Sequence, residues 1–181
     1  MRNSFLFRIL GCLFAVSCCL SCGEADTLYA RLPAKFKMEN IYQAPVLNIA
    51  CNSMGEFCII TYSGGYFYFT SIYDQSKVPV TNGYVYEGFY LGLSGGLIVG
   101  LPNQIELGKD NVEVVCFDRA CRNCYHDYGI TKPLQFKENG IVYCKSCERT
   151  YNLNDIGHAS EGKPLYRYRV RLFGNSLIIA N

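Results

Sequence analysis

An excess of charge of either sign is missing from this chain: 17 Lys plus Arg face 15 Asp plus Glu. Two of the cations, Arg2 and Arg8, fall at the very start, and without them the signs balance at 15 each. A balanced surface gives no electrostatic footprint for nucleic acid. Runs of helix formers free of glycine and β-branched residues are also missing, and so is tryptophan, while Tyr (15), Phe (11) and Gly (17) are plentiful. That imbalance argues against a helical bundle and for an all-β domain. The chain shows no nucleophile motif, no phosphate-cradling glycine loop and no His–carboxylate pair at a suggestive spacing, so an enzyme acting by itself has little support. It shows no internal repeat and no low-complexity tract. Beyond residue 20, no apolar run is long enough to cross a bilayer as a helix.

The beginning of the chain reads as an export signal. Arg2 and Arg8 form a short positive region, and Ile9 to Leu20 is an apolar run of 12 residues, too short for a membrane span and right for a signal core. The run ends in "CLSC" followed by "GEAD". A small residue before a cysteine is the pattern of bacterial lipoprotein signals. The similarity implies a signal over residues 1–21, lipidation of Cys22 and a lipid anchor in a membrane of the cell envelope, facing the periplasm or cell surface. Cys18 is the alternative acceptor, and an ordinary secretory signal is the plainer reading of the same run.

Residues 22–44 lack periodicity and read as a linker. A domain is expected over 45–181, with strands at 46–50, 56–62, 66–71, 83–90, 95–100 and 112–117. Ser63, Gly64 and Gly65 are expected to turn the second of these into the third. Near the end, "LYRYRVRL" (165–172) alternates strictly, placing Tyr166, Tyr168, Val170 and Leu172 on one face and Arg167, Arg169 and Arg171 on the other. The arginines read as a solvated strand face. "FGNS" then turns the chain into a closing strand, "LIIA" (177–180).

Within this framework lies a cysteine segment, about 116–153. Cys121 and Cys124 form one Cys-x-x-Cys pair, and Cys144 and Cys147 form another. Two intervening residues let both sulfurs of a tight turn face one tetrahedral ion. Between the pairs, a strand, an Asn139–Gly140 turn and a second strand are expected to bring the two knuckles together, as in zinc ribbons and rubredoxin-type iron sites. Arg119, Arg122, Lys145 and Arg149 lie within two residues of the cysteines and could offset thiolate charge. The competing reading is disulfides, usual in an oxidising compartment, for which the sequence does not rank the three pairings. Cys51, Cys58 and Cys116 read as small buried hydrophobes, with a Cys51–Cys58 bridge as an alternative. His158 reads as a loop residue, whereas His126 completes a Cys-x-His with Cys124.

That tripeptide and the residues after it resemble the Rieske iron–sulfur family. Cys144 opens the second box, Tyr151–Asn152–Leu153 stands where the family has Phe/Tyr–Asp–Leu, and Gly162, Pro164, Leu165, Tyr168, Val170 and Ile178 match its closing segment. The resemblance covers residues 112–181 and implies a small β-sandwich or barrel base with an inserted, rubredoxin-like metal-binding subdomain. Cys147 and Glu148 depart from it, standing in place of the second histidine and a glycine. Two functions are in play. One is a binding or structural lipoprotein whose zinc is held by Cys121, Cys124, Cys144 and Cys147. The other is an electron carrier with an all-cysteine [2Fe–2S] cluster or a single iron, serving a redox partner the sequence does not identify; His126 in place of Cys121 is a further ligand alternative.

Overall fold

The apolar run in Glu56–Ser63 (β2) shows how the fold is layered. Its residues alternate between two separate cores: Cys58 and Ile60 enter one, Phe57 and Ile59 the other. Gly96–Leu101 (β5) and Val115–Asp118 (β6) behave alike, with Leu97, Val99 and Cys116 facing the first core and Ile98, Val115 and Phe117 the second. Strands buried on both faces read as near-continuous hydrophobic runs. The computed structural model describes residues 29–181. The expected signal, Cys18 and Cys22 lie outside the described residues.

Eight strands form one curled antiparallel sheet. Besides those three they are Lys35–Met38 (β1), Tyr66–Ser71 (β3), Lys77–Thr81 (β4), Arg167–Phe173 (β11) and Ser176–Ala180 (β12). Their order is β1-β12-β11-β6-β5-β2-β3-β4. Gly64 and Gly65, both at positive φ (58° and 86°), make the two-residue β2–β3 turn, a conformation nearly closed to other residues. A smaller sheet, ordered β10-β9-β8-β7, consists of Gln135–Phe136 (β7), Ile141–Tyr143 (β8), Thr150–Asn152 (β9) and His158–Ala159 (β10). It packs on the outer face of β2, β5 and β6, where Leu134, Phe136, Val142, Tyr151 and Leu153 complete the second core.

Four expectations require correction. Residues 46–50 are helical, within Pro45–Asn52 (α1). Leu47, Ala50 and Cys51 have the spacing of one helical face and bury it in the first core, and Pro45 suits a first turn. A run of five residues, four of them apolar, is too short for periodicity to separate strand from helix. The linker assigned to 22–44 includes β1, whose Phe36 and Met38 are in the first core. Residues 83–90 form no strand; they make isolated bridges to β1, with Tyr86 N donating to Lys37 O at 2.9 Å and Tyr90 N to Lys35 O at 2.7 Å. This segment, which comes after β4, thereby covers the outer edge of β1 at the far end of the sheet. Finally, Arg167 is not part of a solvated stripe. It is buried, and its guanidinium is held by both Glu106 oxygens at 2.9 Å, while Arg169 and Arg171 are exposed.

Candidate metal centre

β6 delivers the first knuckle through a buried carboxylate. Asp118 Oδ1 accepts from Ala120 N at 2.6 Å, and its Oδ2 accepts from Leu93 N at 2.7 Å and from the Tyr168 hydroxyl at 2.6 Å. Burial pushes this carboxyl's pKa up, and those donors pull partly against the shift. Residues 119–121 also pair with 132–134, Cys121 N donating to Lys132 O at 2.8 Å and Leu134 N to Arg119 O at 2.7 Å. The knuckle is thus tied on both sides before its helix begins.

Arg122–Tyr128 (α2) starts at Cys121, whose sulfur caps it by accepting from Cys124 N at 3.5 Å. The second knuckle leaves β8 at Cys144 and enters β9 after Arg149. Glu148 N donates to Cys144 O at 2.8 Å and Cys144 N to Arg149 O at 3.0 Å. Closing this turn puts Glu148 at φ 59°, a left-handed conformation that costs a residue with a side chain about 1–2 kcal/mol.

The two knuckles bring four sulfurs together. All lie within 4.8 Å of one another; Cys121, Cys124 and Cys144 are buried and Cys147 is half-buried. Two contacts cross between knuckles, Cys121 to Cys147 and Cys124 to Cys144, each at 3.6 Å. A single ion with metal–sulfur bonds of about 2.3 Å needs tetrahedral edges of about 3.8 Å. The group is therefore of a size to close on one ion, and its donor set suits a thiophilic metal.

Tyr151 and Asn123 frame the sulfurs. The buried Tyr151 hydroxyl is 3.0 Å from Cys121 Sγ and accepts from Asn123 Nδ2 at 2.9 Å. Asn123 also grips the chain at Lys163, donating to its carbonyl and accepting from its N–H at 2.9 Å each. Gly162, at φ 86°, lies where a Cβ would collide with Asn123 Oδ1, so this clamp requires glycine there. Nothing in the sequence marks Asn123 beyond its place between two cysteines. Tyr151 follows the second knuckle by four residues, but its hydrogen bond to sulfur has no sequence signature.

Burial raises the pKa of Cys121 and Cys124. Cys147 is shifted the other way: burial raises its pKa, but the Arg149 N–H and the neighbouring thiols outweigh it. Of the positive side chains expected to offset thiolate charge, Arg149 interacts electrostatically with Cys147, and three of the four have further partners. Arg119 Nε donates to Leu134 O at 3.3 Å, Arg122 lies 4.7 Å over the Tyr166 ring, and Arg149 pairs with Asp127 at 3.2 Å.

The histidines lie outside the sulfur group. His126 is exposed and 2.9 Å from Asp127, and His158 is exposed and 3.1 Å from Asp155. The ligand alternative in which His126 replaces Cys121 is therefore not what the structure builds. All seven cysteines among the described residues are free, including Cys51 and Cys58, so neither the disulfide reading nor a Cys51–Cys58 bridge is realised. No helix among the described residues is long and apolar enough to cross a membrane. Comparison with protein-family models, with curated proteins and with solved structures finds no match.

Proposed function

We infer that the protein is an exported, lipid-anchored binding or structural protein in which one zinc ion, held by Cys121, Cys124, Cys144 and Cys147, stabilises the smaller sheet. The observation that carries this reading is the compactness of the sulfur group, with every sulfur within 4.8 Å of every other. In a two-iron cluster, thiolates on opposite irons are held apart by the width of the inorganic core, whereas a single ion draws all four to one centre. Closed four-cysteine sites are mostly structural zinc. β7 and β10 have two residues each and β8 and β9 three, so this sheet has little ladder of its own. A metal adds folding free energy where so small an element cannot.

Resemblance to the Rieske family supports the architecture of a β base with an inserted metal-binding subdomain. On this reading the base would be the eight-stranded sheet and the insert the smaller one. The same resemblance keeps electron transfer as the second reading, with a single iron on the same four sulfurs better matched to their spacing than a two-iron cluster. The apolar run ending before Cys22 supports export and lipidation, and the charge balance speaks against a nucleic-acid partner. The macromolecule bound would be a protein at the membrane surface.

Cobalt substitution tests the site. Replacing the bound metal with Co(II) should give one cobalt per chain, with tetrahedral d–d bands and intense thiolate-to-cobalt charge transfer. Six-coordinate cobalt spectra, or a stoichiometry other than one, would contradict it.

A further inference from the structure

Both 3.6 Å sulfur contacts run from one knuckle to the other. Their partners are 26 and 20 positions apart in sequence. Of the three ways to pair four cysteines, one joins Cys121 to Cys147 and Cys124 to Cys144, the two contacts already in place. That pairing also holds the knuckles together after a metal leaves, whereas pairing within each Cys-x-x-Cys would leave them unjoined. Closing the longer loops removes more entropy from the unfolded chain.

We propose that the four-cysteine group is a site of oxidative modification, at which a small-molecule disulfide expels the metal and leaves two nested disulfides, Cys121–Cys147 and Cys124–Cys144. The metal-release half of this rests on the zinc reading above; the pairing does not. Cys147 is the point of entry, because it alone of the four is not fully buried. Its sulfur attacks one sulfur of the external disulfide, expelling one small thiolate and forming a mixed disulfide. Cys121, 3.6 Å away, then attacks the Cys147 sulfur and expels the second small thiolate. With Cys147 and Cys121 withdrawn from the ion, Cys124 and Cys144 undergo the same exchange. Two external disulfides take up the four electrons lost by the protein's thiolates, and four protons from solvent leave four small thiols and one divalent ion. Cys51, Cys58 and Cys116, all buried, stay reduced.

The test is oxidation of the purified protein by excess oxidised glutathione, with released zinc followed by a chromogenic chelator. Trypsin places each of the four cysteines on its own peptide: 120–122, 123–137 (Lys132 precedes Pro133 and resists cleavage), 138–145 and 146–149. Mass spectrometry without reduction should find 120–122 joined to 146–149 and 123–137 joined to 138–145, with one zinc released per two disulfides. Joining 120–122 to 123–137 or to 138–145, or joining 146–149 to 138–145 or to 123–137, would overturn the proposal. So would four free thiols after oxidation of the chelator-stripped protein, an outcome that leaves the zinc reading standing. The same nested disulfides in a protein that never held metal would uphold the pairing and defeat the zinc reading.

Discussion

Glu148 has a backbone conformation poorly suited to its identity. It closes the second knuckle at φ 59°, and Glu148→Gly should raise stability by about 1 kcal/mol, read by chemical denaturation, since glycine adopts that conformation at little cost. A fall in stability would mean that the glutamate side chain contributes something the backbone geometry does not reveal. Tyr151→Phe removes the hydroxyl beside Cys121 Sγ and one partner of Asn123 Nδ2. It should weaken metal retention about tenfold or more in a chelator competition while leaving the larger sheet folded, the usual size of effect for a group supporting a ligand. The cysteines themselves were legible in the sequence, because thiolate pairs at two-residue spacing have few other uses. Asp118 and Asn123 were not, since a buried polar residue differs from an exposed one only in partners that tertiary folding supplies.

Among the elements, β2, β5, β6, β3 and the closing β11–β12 hairpin were readable because β-branched and aromatic runs bounded by glycine turns have little other interpretation. α1 was not, because its run of five residues, four of them apolar, fits a strand as well as a helix. β11 shows where an alternating pattern misleads: Arg167 has the same sequence phase as Arg169 and Arg171 but lies next to β6, under cover of Glu106. The hydrogen bonds from Arg167, more than the opposing burial, hold the Glu106 carboxyl below its usual range. A carboxyl with a depressed folded-state pKa contributes stability above its unfolded value, about 4.3, and loses it as pH falls through the folded value. Urea denaturation from about pH 6 down to about pH 3 should therefore show part of the wild-type decline missing in Glu106→Gln. The variant should be about 2 kcal/mol less stable at the upper end of that range, because Arg167 loses its charged partner while buried. An unchanged acid limb in the variant would show that this pair carries no pH-dependent stability.

The described residues form two cores on either side of shared strands. The first is enclosed by the curled sheet, and the second lies between its outer face and the smaller sheet. Only the second core includes the sulfurs of the candidate metal site, so metal removal should act on one side of the molecule. Hydrogen exchange after chelation should show lost protection in residues 119–160, with β2, β3, β5 and β12 retaining theirs; uniform loss would mean that the two cores unfold as one unit. The sequence pointed to the all-β class and the sulfur group but not to this sharing of strands, because a run buried on both faces shows no alternation that would assign its residues to separate cores. Most depends on what the four sulfurs hold. The direct measurement is metal and acid-labile sulfide analysis, with a visible spectrum, on protein purified without oxygen. One zinc per chain, no sulfide and no colour is the predicted result. Two irons with two sulfides and visible absorption would contradict it.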